Sequence, residues 1–413
     1  MSRQGLVTLV VVGLIVATLV ATALVAAPVL AQEEGGAGEE EEEGGLEGAI
    51  EEFVEGQGLF GAVVVLAIGT VLLIVSAEKL ISYLTRMALR SKISLFALAI
   101  VFTGFEFDDT ILGLALAAGG LEGAALGTAL GTGLAIIGVT LALAAIIQPF
   151  PVDLPNDYIA LFALSPFLLV PFVLLGTLTL GPGLVLLGFF VLTFAYFIVR
   201  ERQREIPVFR NTELGEAVRP DSATATQADG GAKTQSDGGT VFPEPLATIP
   251  EDRLIGDRSG WIWFGLSIGA LAVLVFAAML LEAGSEVAIE GLGVEGTVFG
   301  ATVLTLILTF EDILLTIEPV RRGVPEIGVG NVIGSVLFSM TGNVGVLTLV
   351  ATVTIAPSVL SFHLPAIILV TALAAYFMYG GELKRWHGFL LFGLYVAYWI
   401  IALTVFGGVP IGD

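Results

Sequence analysis

Two short segments carry carboxylates where carboxylates are costly. One reads Thr103-Gly104-Phe105-Glu106-Phe107-Asp108-Asp109 and the other Leu308-Thr309-Phe310-Glu311-Asp312, each within a long apolar run. An ionisable side chain at the centre of a membrane helix costs about 2.5–3.5 kcal/mol on insertion scales. These two segments hold five such groups, and no apolar run of the chain places a Lys or Arg opposite them. The acids must therefore bind cations, bind protons or face water. Residues three apart on a helix share a face, so the spacing pairs Glu106 with Asp109 and Thr309 with Asp312. On the same wheel Asp108 and Glu311 project elsewhere; either they reach an aqueous vestibule and do nothing specific, or they serve the site. If the two segments meet, three carboxylates and a hydroxyl converge. Such hard oxygen donors suit calcium and similar cations. Crowded carboxylates also repel one another, which a bound proton relieves as a metal ion does.

The elements that must position these groups follow from composition. The chain has 413 residues, 56% of them hydrophobic, with a mean hydropathy of +0.95. The apolar residues fall in blocks long enough for a spanning helix, which needs roughly 20 of them. The blocks predict an all-α membrane protein with ten transmembrane helices, at residues 59–77, 95–119, 124–149, 159–180, 183–199, 261–282, 297–318, 327–356, 364–378 and 388–406. Ahead of them, Arg3, the apolar stretch Leu6–Ala27 and Val29-Leu30-Ala31 before Gln32 read as a signal segment over 1–31. An acidic extracytoplasmic tail (32–58), a first half (59–200), a disordered Gly/Ser/Thr/Asp/Pro-rich cytoplasmic linker (201–259) and a second half (260–407) complete the expected order. The net charge of −22 argues against a nucleic-acid partner and suits a high-salt, halophilic setting where screening removes self-repulsion. Cysteine is absent, which excludes disulfides and thiolate metal ligands.

Charge placement orients the spans. With the segment after residue 31 outside and the spans alternating, Lys79, Arg86, Arg90, Lys92, the linker's Arg and Lys residues, Arg321, Arg322, Lys384 and Arg385 all fall on the inner side. The short outer loops carry no Lys or Arg, the positive-inside pattern of a multi-pass plasma-membrane protein with both termini extracytoplasmic. Five spans per half place the second half upside down relative to the first. The halves also match in sequence. A shift of 203 residues superposes Phe96 on Phe299, Phe107 on Phe310, Asp109 on Asp312, Gly127 on Gly330, Gly131 on Gly334 and Thr132 on Ser335. Two inverted five-helix repeats are the expectation, with a site at the midplane between them. Gly119, Gly123, Gly127 and Gly131 recur every four residues, as do Gly330 and Gly334. Small residues at that spacing let helices approach closely, which would bring Thr132 and Ser335 to the acids.

The run Gly330-Asn331-Val332-Ile333-Gly334-Ser335 resembles the glycine-asparagine motif of the cation/calcium exchanger superfamily, in which an acidic motif of the form Gly-Thr-Ser-x-Pro-Glu precedes it in each repeat. The resemblance covers both halves. It implies a secondary antiporter exchanging calcium or a similar cation for sodium or protons by alternating access. By position it assigns the essential acids to Asp109 and Asp312 and neighbouring metal-ligand positions to Glu106, Thr309, Thr132 and Ser335, with Ser339 a turn later. This chain departs from the pattern in several places. Asp replaces Glu, Asp108 and Glu311 stand where the prolines should be, Gly127-Thr128 replaces Gly-Asn, and Ile136 occupies a position expected to be polar. The alternative implied by these losses is a diverged cation-binding membrane protein that acts as regulator or partner without transporting. Enzymatic readings fail for want of companion motifs. Of the remaining residues, His363 and His387 read as interfacial, Tyr395, Tyr398 and Trp399 as an aromatic belt, and Pro319 as the end of the seventh span.

Overall fold

The computed structural model describes residues 46–90, 106–201, 260–321 and 323–407. The expected signal segment, most of the linker, Thr103-Gly104-Phe105 and the Glu311 side chain lie outside the described residues. Ten helical elements follow in order: α1 (Leu46–Arg90), α2 (Phe107–Ala118), α3 (Glu122–Ile147), α4 (Asn156–Val173), α5 (Leu180–Glu201), α6 (Gly260–Leu292), α7 (residues 296–321), α8 (Pro325–Leu347), α9 (Val359–Tyr379) and α10 (Arg385–Phe406). Eight of them are long and apolar enough to cross a membrane, and α7 makes a ninth if its two bent parts count as one span. The described part of the predicted second span is α2, 12 residues long.

Burial separates a centre from a rim. In their most apolar stretches α3 and α8 are 83% and 94% buried, whereas α1 and α6 are 33% and 39% buried. α1 and α6 pack along one another and present Val63, Ile68, Val71, Ile268 and Val273 outward. Apolar side chains facing outward are what a lipid-contacting surface requires, and small residues are what a protein-enclosed helix requires. Gly127 and Gly131 show the second need. A β-carbon at Gly127 would collide with the Thr297 carbonyl, and one at Gly131 would lie 2.6 Å from Ala301 Cα. These glycines seat the start of α7 directly on α3.

Four two-residue strands stitch the loops. β1 (Phe150–Pro151) pairs antiparallel with β4 (Glu382–Leu383), and β2 (Thr177–Leu178) pairs antiparallel with β3 (Val353–Thr354). The two pairs lie at opposite ends of α4. The 203-residue shift carries β1 onto β3, and it carries the π turn of α3 (Ile136–Leu141) to within one residue of the π turn of α8 (Phe338–Asn343). Exchanging the halves therefore exchanges the two strand pairs.

Several expected boundaries move. The first helix runs over Leu46–Arg90, broken by Gly58 at φ 59°, because a residue with positive φ interrupts the helical ladder. The eighth ends at Leu347, since residues 353–354 are strand rather than helix. The fourth ends at Val173, ahead of β2. Pro319 lies inside α7, which continues to Arg321. Tyr395 and Tyr398 are buried rather than belted at an interface, with Trp399 Nε1 donating to the Tyr395 hydroxyl at 3.0 Å. His363 is buried too, its Nδ1 2.7 Å from the Tyr398 hydroxyl, and His387 stacks on Phe377 at 3.9 Å. Polar tips of buried aromatics and imidazoles find partners inside the protein, which removes the need for an interface.

Candidate cation site

One acidic segment sits at the start of a helix and the other at a bend. α2 begins at Phe107, and Glu106 before it is extended, with φ −89° and ψ 103°. Glu106 thus stands at the helix cap rather than within the helix, and its side chain lies beside Asp109, the residue its spacing pairs it with. The Thr110 hydroxyl donates to the Glu106 carbonyl oxygen at 2.7 Å and fastens this first turn. Asp108 and Asp109 lie in that turn, where unpaired backbone N–H groups and the helix dipole favour negative charge. In the other half, α7 bends by 44° between Phe310 and Leu315, the stretch that contains Asp312. Neither interruption contains a proline.

Both interruptions meet in the interior. Asp109 is 2% exposed and Asp312 8%. Glu106, Asp109 and Asp312 lie within electrostatic range of one another. Asp108, half-buried, lies within electrostatic range of Asp109 and Asp312 as well. The Glu106 carboxylate lies beside that of Asp109, although among the described residues no three His, Cys, Asp or Glu groups are arranged to hold a metal ion. Neutral oxygens fill the intervening space. Ser335 is next to Glu106 and Thr132 next to Asp109, both hydroxyls being buried. Neither contact amounts to a formed hydrogen bond for Glu106 Oε1, Glu106 Oε2, Asp109 Oδ2 or Thr132 Oγ1, which have no hydrogen-bond partner among the described residues. Thr309, 1% exposed, uses its proton on the Thr305 carbonyl at 2.7 Å, which leaves its oxygen lone pairs available.

Asn331 is the site residue that the spacing argument passed over. Its Nδ2 donates to Asp312 Oδ1 at 3.2 Å, fixing one carboxylate oxygen and leaving the other. The sequence signal was the glycine-asparagine pair itself. Gly328 allows this approach, since a β-carbon there would lie 2.6 Å from the Thr316 carbonyl oxygen of α7. Gly300 does the same for α7 against α3, where a β-carbon would strike the Ala124 carbonyl. Thr305 Oγ1 then reaches the Thr128 carbonyl across the contact at 3.4 Å.

Comparison with known proteins fits this geometry. The family model described as sodium/calcium exchanger protein matches residues 61–199 and 261–404, well over half of the chain. The chain belongs to the sodium/calcium exchanger protein family. Members of the family are transporters, not enzymes, and this is a multi-pass membrane protein. It is 24% identical over 355 residues to the inner membrane protein YrbG of Escherichia coli, covering 83% of this chain and 99% of that one. It is 29% identical over 143 residues to the sodium/calcium exchanger MaX1 of Methanosarcina acetivorans, a match spanning 34% of this chain and only 41% of that protein. A putative antiporter, CaxA of Alkalimonas amylolytica, is 23% identical over 295 residues, 70% of this chain and 81% of that one. Among solved structures, the sodium–calcium exchanger NCX_Mj superposes with a TM-score of 0.50 at 20% identity over 83% of this chain and 98% of its own, which establishes a shared fold.

Proposed function

We propose that this protein is a secondary active antiporter exchanging calcium, or a cation of similar chemistry, for sodium or protons through a carboxylate site at the bilayer midplane. Cation antiport as such follows from the family. The observation that carries the finer reading is that buried carboxylate oxygens of Glu106 and Asp109 have no hydrogen-bond partner among the described residues and lie within electrostatic range of Asp312. Buried carboxylates without cationic partners are strongly unfavourable, so a site that keeps three of them needs a positively charged occupant. Glu106, Asp109 and Asp312 supply charge. Thr132, Ser335 and Thr309 supply neutral oxygens, and Asn331 orients Asp312.

The two halves act as inverted repeats in this reading, ten spans in all. The matched strand pairs and π turns support it. The absence of the superfamily motif's prolines is compatible with this reading, since a helix begins just after Glu106 and α7 bends near Asp312 without them. The inward bias of Lys and Arg supports extracytoplasmic termini and a cytoplasmic linker.

The test is radiocalcium uptake by proteoliposomes under an outward sodium gradient, an outward proton gradient, and neither, with Asp109→Asn alongside. Uptake driven by one gradient and lost in the variant is the expected result. No gradient-dependent uptake of radiocalcium by folded protein would remove calcium from the proposal. Saturable cation binding without any flux would point to the non-transporting relative instead.

A further inference from the structure

The outer end of α7 is held from several sides through one residue. Glu295 precedes the helix with extended backbone, φ −66° and ψ 134°. Its carboxylate accepts from the Thr297 and Val298 backbone N–H groups at 3.1 and 3.2 Å. Those are two of the donors that a helix start leaves open. The same carboxylate accepts from the Ser358 hydroxyl, just ahead of α9, at 3.3 Å. The Glu295 backbone N–H donates to the Gly407 carbonyl, just past α10, at 3.1 Å. One half-buried residue thus ties three helices together.

The groups it is tied to do not give easily. Phe362 of α9 stacks on Tyr398 and Phe406 of α10 at 5.1 and 4.9 Å, and His363 Nδ1 meets the Tyr398 hydroxyl. The outer ends of α9 and α10 therefore form one block. On another flank α7 rests on the glycines of α3, with Thr297 against Gly127 and both Ala301 and Thr305 against Gly131. At the far end of α7, Gln148 Nε2 donates to the Val320 carbonyl at 3.3 Å. The helix is held at both ends and seated on α3 in between.

A rod tied at its start and seated near Ala301 behaves as a lever. Glu295 to Ala301 spans about 9 Å and Ala301 to Thr309 about 12 Å, at a rise of about 1.5 Å per residue. Freed at Glu295, α7 would rock on the α3 seat. A shift of about 1 Å at its start would then move Thr309 by about 1.3 Å. Binding constellations hold their groups to about 0.5 Å, so a movement of that size matters. Asp312 follows in the bend and would tilt with it.

We propose that Glu295 is a positioning residue for the cation site. It touches no cation; by tying the outer end of α7 to α9 and α10 it sets where Thr309 and Asp312 stand against Glu106 and Asp109. Its effect on ions rests on the reading of these oxygens as the cation site. The tie itself does not.

Two measurements on the purified full chain in detergent test this. The chain has no cysteine, so Leu306→Cys on α7 and Val396→Cys on α10, both exposed, can carry a unique pair of spin labels. The distance distribution between the labels should be narrow, should broaden with Glu295→Ala, and should narrow again with Glu295→Gln, whose amide oxygen keeps an acceptor. In the chain without labels, radiocalcium binding at equilibrium should weaken about tenfold in Glu295→Ala and stay within about threefold of wild type in Glu295→Gln. Tyr398→Phe controls for a merely structural effect, because it loosens α9 against α10 and leaves the ties to α7. Its calcium affinity should stay within about twofold of wild type. A distribution equally narrow in Glu295→Ala, an unchanged calcium affinity in that variant, or an equal loss in Tyr398→Phe would overturn the proposal. Broadening in a chain that binds no calcium would uphold the tie and remove calcium from the proposed function, so the two failures are distinguishable.

Discussion

Replacing a glycine by alanine should have opposite effects at two kinds of position in this protein. At Gly127 the new β-carbon would meet Thr297 of α7, with its carbonyl carbon at 2.8 Å and its Cα at 2.9 Å. At Gly131 it would lie 2.6 Å from Ala301 Cα and 2.7 Å from the Ala301 carbonyl oxygen. These neighbours are backbone and cannot rotate away, so α7 must move off α3. Overpacking of this kind costs about 1–3 kcal/mol. At Gly269 and Gly393 nothing lies within 4 Å, and alanine there gains about 1 kcal/mol of helix propensity. The same substitution should therefore differ by roughly 2–4 kcal/mol between the two classes. Thermal unfolding of detergent-solubilised protein, followed through its four tryptophans, reads the difference. The expected order is Gly127→Ala and Gly131→Ala below wild type, and Gly269→Ala and Gly393→Ala at or above it. Because α7 carries Thr309 and Asp312, the first pair should also lose cation flux. A midpoint for Gly127→Ala equal to that of Gly269→Ala would refute the close α3–α7 contact.

Other outcomes follow from single contacts. Asn331→Leu removes the donor to Asp312, a hydrogen bond to a charged group worth about 1.5–3 kcal/mol; radiocalcium affinity should drop at least about tenfold with the fold intact by circular dichroism. Glu106→Gln keeps the volume and removes one buried charge, so calcium affinity should fall while the unfolding midpoint holds or rises; an unchanged affinity would take Glu106 out of the site. Tyr398→Phe strands His363 Nδ1, whose ring Nε2 already has no partner among the described residues. It should cost about 1–3 kcal/mol of stability and leave cation binding as in wild type, since the pair belongs to the α9–α10 packing rather than to the acids.

Much of the site was legible because its physics is local. A carboxylate within an apolar run is conspicuous whatever the fold, and the matched 203-residue spacing identified Asp109 with Asp312 before any contact was known. The glycine spacing announced a close helix contact. Other features were beyond pattern. The spacing that pairs Glu106 with Asp109 does not show that the backbone at Glu106 is extended. Nor does it show that Asp108 lies within electrostatic range of both Asp109 and Asp312.

Sequence alone determined that this chain enters a membrane, that its two halves match at a 203-residue shift, and which carboxylates have no Lys or Arg within the apolar runs. These are statements about composition and period, and they need no third dimension. Only the tertiary structure decided which groups meet. The contact of Gly127 and Gly131 with α7, the hold of Asn331 on Asp312, and the tie of Ser358 to Glu295 join residues far apart in the chain. No periodicity encodes such pairings, because a helix face records what it must bury and not which neighbour will cover it. Tyr395, Tyr398 and His363 make the same point from the other side. Their amphipathic chemistry suits either an interface or a buried partner, and the packing of α10 against its neighbours chose the second.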